Sequence, residues 1–153
     1  MTEAKQKRRV LILCTGNSCR SQMAAGLVNL LLGERWQACS AGTHPALSVH
    51  PLAIRAMAEL GVDISAATPQ HLESFLDERW DLVVTVCDWA RESCPVFPGA
   101  SEQIHVSFPD PFLAGGSDEE RMAAFRAVRD DIRARLIPEL RCRDREADGA
   151  RRS

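Results

Sequence analysis

A cysteine, five residues and an arginine mark the most reactive stretch of the chain: Cys14-Thr15-Gly16-Asn17-Ser18-Cys19-Arg20, with Ser21 next. A thiolate is a strong nucleophile. An arginine offers a planar fork that matches two oxygens of a tetrahedral oxyanion. A short loop between them can curl its N–H groups inward and cradle the same anion with Thr15, Gly16, Asn17, Ser18, Cys19 and Arg20. In that positive field Cys14 is expected to ionise below the ordinary thiol pKa of about 8.5. Taken singly, each residue also has a plain reading, since a buried cysteine is a small hydrophobe. Together they describe a nucleophile facing its own anion pocket, and the surrounding elements decide between the readings.

Two further thiols and a carboxylate extend the chemistry. Cys87 directly follows the apolar run 82–86, and Cys94 comes seven residues later. That spacing is too wide for a Cys-x-x-Cys redox pair. It allows a disulfide only if the intervening segment bends or unwinds, because bonded Cα atoms must lie within about 7 Å. The plain alternative is a buried strand-end residue and a loop residue. Asp110, in Phe108-Pro109-Asp110-Pro111, reads either as a turn residue or as a proton donor to a departing oxygen. The cysteines and His105 show no zinc-ligand spacing, so no metal is expected.

These residues need a scaffold that brings them to one place. Val10-Leu11-Ile12-Leu13 reads as a strand (9–13), and the residues after the loop carry a helical apolar pattern over about 21–32. A second strand is expected over Trp36–Ser40. Pro51 opens a helix that Gly61 stops. Thr68-Pro69 reads as the cap and first residue of a short helix with Leu72, Phe75 and Leu76 on its apolar face. Residues 81–86 form the clearest buried parallel strand, and Gln103–Ser107 a fourth. Ser117 with Glu120 forms a capping box for a last helix running to about Leu140. Strands alternating with helices predict a small four-stranded parallel α/β sheet with helices on both faces. The reactive segments then gather at the carboxyl edge, where such sheets bind ligands. Residues 1–8 read as a flexible leader, 9–140 as a single catalytic domain, and 141–153 as a flexible tail.

Bulk properties narrow the class. The chain has 153 residues, 45% apolar and 26% charged, with a formal net charge of −2. That suits one soluble domain and gives no general nucleic-acid surface. The polar stretch Met1–Arg9 lacks a signal peptide's apolar run, and no run approaches membrane-span length. The expectation is a cytoplasmic protein, acting as a monomer, with no nucleic-acid or membrane partner. Six cysteines in a chain of this size suit inert or catalytic thiols better than a stapled scaffold.

On these residues the chain resembles the thioredoxin-coupled arsenate reductases that share the low-molecular-weight protein tyrosine phosphatase fold. The resemblance spans about residues 9–140. It rests on Cys14–Ala24, Ser40-Ala41-Gly42, Asp63-Ile64-Ser65, Asp81–Cys87, Cys94-Pro95, Asp110-Pro111 and Phe125–Asp130. It implies that Cys14 attacks arsenate held by the loop and Arg20, that Ser21 stabilises the thiolate, and that Asp110 protonates the leaving oxygen. It further implies a relay in which Cys87 attacks the adduct, Cys94 attacks Cys87, and thioredoxin reduces the resulting disulfide. Phosphate and sulfate are the expected competing anions. No tightly bound cofactor is implied. Some relatives hold potassium near the loop through acidic side chains; Ala25 and Gln70 stand at those positions here while Asn17 and Ser40 remain, so the resemblance implies at most a weak potassium site. Two rivals remain at this stage. A phosphatase would need only Cys14, Arg20 and Asp110, and an oxyanion-responsive redox sensor would use the thiols as a switch.

Overall fold

The computed structural model describes residues 7–93 and 96–152. Among them a four-stranded, fully parallel sheet forms in the order β2-β1-β3-β4, from β1 (Arg8–Cys14), β2 (Trp36–Gly42), β3 (Leu82–Thr85) and β4 (Gln103–His105). The α-helices are α1 (Arg20–Leu31), α2 (Pro51–Ala58), α3 (Asp88–Ser93) and α4 (Asp118–Arg152), with 3-10 turns at Leu72–Phe75 and Pro111–Leu113.

Alternation along β1 divides the core in two. Val10 and Ile12 point to the face covered by α1, α2 and α4, where Met23, Leu27, Met57, Phe125 and Ile132 are fully buried. Leu11 and Leu13 point to the opposite face, beneath Leu72, Trp80, Val83 and Phe97. Burial on both faces explains why β1 and β3 read as continuous apolar runs. The shared register Leu13↔Thr85 brings the ends of β1 and β3 side by side, and Cys14 pairs with Gly42 of β2. Gly42 is required there, because a Cβ would run into the carbonyl oxygen of Thr15 and come within 3.0 Å of the Asn17 nitrogen.

Three boundaries differ from the sequence reading. Arg8, placed in the leader, already belongs to β1: its N–H donates to the Arg35 carbonyl at 2.9 Å and its guanidinium lies 4.5 Å from the Trp36 ring. The short helix after residue 68 is a 3-10 turn capped by His71, whose Nδ1 accepts from the Glu73 N–H at 3.1 Å, and not by Thr68-Pro69. The last helix does not stop near Leu140 to leave a loose tail. It continues to Arg152, and long-range bonds anchor Arg143 and Asp144. Asp144 accepts from the buried Trp36 indole N–H at 2.9 Å, and Arg143 grips Glu102 at 2.8 and 3.0 Å. The expected capping box forms, with the Glu120 N–H donating to Ser117 Oγ at 3.2 Å. Among the described residues, no helix is long and apolar enough to cross a membrane.

Candidate active site

The segment after β1 is fixed from outside by residues 43–50. The carbonyls of Cys14, Thr15, Gly16 and Ser18 accept N–H groups of Thr43, His44, Ala46 and His50 at 2.8–3.2 Å. In a planar trans peptide the N–H points opposite the carbonyl, so each of these contacts turns an N–H toward the cleft. The Asn17 N–H confirms the sense: it donates to Cys14 Sγ at 3.2 Å. The loop then runs into the N-terminus of α1, whose first residue is Arg20. The loop's N–H groups and the N-terminus of α1 therefore face the same cleft.

Asn17 is the hub of this loop. Its φ of 51° is left-handed, a region in which Asn is among the better-tolerated side chains. It is fully buried, and its oxygens accept from Gln22 Nε2 at 3.1 and 3.2 Å and from the Gln70 N–H at 3.0 Å. Its Nδ2 donates to Ser21 Oγ at 2.8 Å. Ser21 Oγ also lies 2.8 Å from Cys14 Sγ; toward a thiolate, which has no proton, the hydroxyl is the donor. The bond expected of Ser21 is therefore present, and Asn17 orients it. Gln22 was not singled out in the sequence reading; a glutamine at the third position of a helix carries no distinctive signal.

The state of the Cys14 thiol departs from expectation. Burial pushes it above the ordinary thiol value, while the Ser21 and Asn17 hydrogen bonds pull it back only in part. The physical reason is the loss of solvent around the sulfur, with the nearby Cys87 thiol adding to it. The Arg20 guanidinium sits 3.6 Å from the Asp110 carboxylate and donates to the Phe108 carbonyl at 3.1 Å. Burial likewise pushes the Cys19 thiol up, to about 11.

Asp110 is brought to the pocket as the sequence suggested, and it is also the turn residue: its Oδ1 accepts from the Phe112 N–H at 2.9 Å. Phe112 is 60% exposed and walls the cleft, backed by the His50 ring at 5.6 Å. The cleft encloses about 310 Å³ between the Cys14–Arg20 loop, Ala46, Asp110 and Phe112. A second cleft of about 650 Å³ shares Thr15, Arg20 and Asp110 with the first and has Cys87 and Asp88 on its far wall. Cys87 Sγ lies 3.3 Å from Thr15 Oγ1 and accepts from the Ala90 N–H of α3 at 3.4 Å. Cys94 lies outside the described residues. Among the described residues no three His, Cys, Asp or Glu side chains gather as metal ligands would.

Residues 9–143 match the family model of the low molecular weight phosphotyrosine protein phosphatases. The chain belongs to this family. Within it, the chain is 47% identical over 130 residues to an arsenate reductase of Halalkalibacterium halodurans, covering 85% of this chain and 93% of the relative. A solved arsenate reductase in its phosphate-binding state superposes with a TM-score of 0.73 at 30% identity, covering 87% of this chain and 96% of that one. The thioredoxin-dependent arsenate reductase Cg_ArsC1' of Corynebacterium glutamicum superposes with a TM-score of 0.65 at 28% identity, covering 92% of this chain and 65% of that one. Fold and resemblance thus agree with the sequence reading: a phosphatase-family sheet whose relatives include arsenate reductases.

Proposed function

We propose that this protein reduces arsenate to arsenite through Cys14, Cys87 and Cys94 and is regenerated by thioredoxin. The observation that carries the reading is Cys87 Sγ against Thr15 Oγ1, 3.3 Å from a residue of the oxyanion loop. Ester hydrolysis needs no second thiol at that lip, whereas arsenic(V) must receive two electrons. The names of the similar proteins support the same chemistry.

Arsenate enters the loop as phosphate would, its oxygens facing the inward N–H groups and Arg20. Cys14 attacks arsenic as the thiolate, and its thiol proton, passed through Asp110, goes to the arsenic-bound oxygen that leaves as water. Cys87 then attacks Cys14 Sγ. The sulfur–arsenic bond breaks with its electron pair remaining on arsenic, which departs as arsenite and leaves a Cys14–Cys87 disulfide. Cys94 attacks Cys87, freeing the Cys14 thiolate, and the dithiol of thioredoxin reduces the Cys87–Cys94 bond by exchange. We assign the protein to the cytoplasm, where thioredoxin keeps such thiols reduced, and write the cycle for a monomer. Potassium takes no part in it. Ala25 offers no side-chain oxygen, and Asn17 Oδ1 already accepts two N–H donors, so the residues present do not fit the ion.

The test is arsenite release from arsenate with thioredoxin, thioredoxin reductase and NADPH supplied. Cys94→Ser should complete one turnover and stop as a Cys14–Cys87 disulfide, identified by peptide mass spectrometry. Sustained turnover by that variant would refute the relay.

A further inference from the structure

Beside Cys87, three side chains from three elements join in a line that the proposed cycle leaves unused. Thr85 ends β3 and is buried; its Oγ1 lies 2.8 Å from Nδ1 of His105, the last residue of β4. His105 Nε2 lies 3.0 Å from Oδ1 of Asp88, the first residue of α3 and the neighbour of Cys87. A carboxylate only accepts hydrogen bonds, so Nε2 carries a proton. In the neutral ring Nδ1 must then accept from the Thr85 hydroxyl. In the charged ring the hydroxyl accepts instead and the bond to Asp88 gains an ion pair. The line is therefore satisfied in both states of the imidazole.

What it holds is the segment between two of the thiols. Helix α3 has six residues, well below the roughly 12–15 at which a helix persists alone. Those six residues span about 9 Å at 1.5 Å each, more than the ~7 Å a disulfide tolerates between Cα atoms. A wound α3 thus works against a bond between the cysteines that flank it in the sequence, and unwinding lets that bond close. We propose that Asp88, His105 and Thr85 form a latch that keeps α3 wound in the dithiol form and so sets how readily the Cys87–Cys94 disulfide forms. This rests on the relay reading above. Asp88 and His105 are positioning residues: neither lines the cleft of the Cys14–Arg20 loop or bonds a reacting sulfur, although Asp88 borders the second cleft beside Cys87.

An interaction made in the dithiol and lost in the disulfide favours the dithiol, so removing it favours oxidation. The protein is equilibrated with glutathione and glutathione disulfide, and the Cys87–Cys94 fraction is counted by mass spectrometry. In this exchange two protein thiols become one disulfide while one glutathione disulfide becomes two thiols. Asp88→Ala should raise the oxidation constant about fivefold, on the order of 20 mV at about 30 mV per tenfold. Asp88→Asn keeps an acceptor for Nε2–H and should return to within about twofold of the parent, since a neutral acceptor retains roughly half the bond. In a His105→Ala background, Asp88→Ala should add nothing further. Hydrolysis of para-nitrophenyl phosphate, which needs neither residue, reports that each variant is folded. Equal constants in the parent and Asp88→Ala overturn the latch and leave the relay standing. A parent in which no Cys87–Cys94 disulfide forms overturns the relay, and the latch with it.

Discussion

Cys14 and Cys87 leave neighbouring parallel strands at the same edge of one sheet, yet their surroundings are built to opposite specifications. Around Cys14, four outward carbonyls, the Asn17 hub and the Ser21 hydroxyl tie the loop at distances of 2.8–3.2 Å. Around Cys87 the sulfur contacts are longer, 3.3 and 3.4 Å, and the following helix has six residues. A site that stabilises a transition state gains from fixed donors. A thiol that carries oxidation outward, as proposed for Cys87, gains from a backbone that can rearrange. The contrast separates the part of this fold that any oxyanion chemistry would need from the part that only electron transfer would use.

The largest expected effect comes from exchanging the two thiols in turn. Cys14→Ser should abolish both arsenite release and hydrolysis of para-nitrophenyl phosphate. Cys87→Ser should abolish arsenite release and leave the hydrolysis at the parent rate. Loss of hydrolysis in Cys87→Ser would show that the movable edge belongs to the rigid site after all.

Asp110→Asn should slow the first chemical step by a factor of about 10² to 10⁴, the usual worth of a general acid. It should also move Cys14 alkylation. In the parent, burial holds the thiol above its ordinary value, so the alkylation rate climbs only as pH rises through that raised midpoint. Without the Asp110 charge, Arg20 is no longer compensated and the midpoint should fall. An unmoved pH profile would mean that the guanidinium does not act on the sulfur.

Ser21→Ala should shift the same midpoint the other way, up by about one pH unit, as expected for losing a hydrogen bond to a charged group. Alkylation of Cys87 should be unaffected, which keeps the two regions distinct. A fall in the Cys14 midpoint would contradict the donor sense assigned to Ser21.

The mildest effect on chemistry is expected far from both thiols. Asp144→Ala leaves the Trp36 indole N–H without its acceptor and should cost about 1–3 kcal/mol of stability while ester hydrolysis per folded molecule stays unchanged. Urea unfolding followed at Trp36 measures it. An unchanged midpoint would show that the final turns of α4 contribute nothing to the fold.

The rigid region was the more legible of the two in the sequence. Strand, loop and helix follow one another without interruption from Val10 to Leu31, and each residue type there has few physical uses. Asp110 was legible as a candidate because Asp-Pro after a strand has only two common readings, and here both hold. The state of Cys14 was not legible, because the burial that raises it comes from the packed fold and not from its neighbours in the chain. The latch was hidden for the same reason: Thr85, Asp88 and His105 are ordinary until β3 and β4 pair. The end of α4 was misread because residues 141–152 are charged and aperiodic, and the bonds that tie Arg143 and Asp144 to Glu102 and Trp36 leave no apolar stripe to read.

Gly42 carries one more implication. It never meets the anion, yet any side chain there would strike the Thr15 carbonyl and crowd Asn17. In a survey of every single substitution scored for growth in arsenate, this position should tolerate nothing, and alanine should fail nearly as badly as tryptophan. Exposed Leu47 should tolerate almost everything. A search for sturdier variants that exchanges glycines for alanines should therefore spare this one, since the room it leaves empty is the template on which the loop takes its shape.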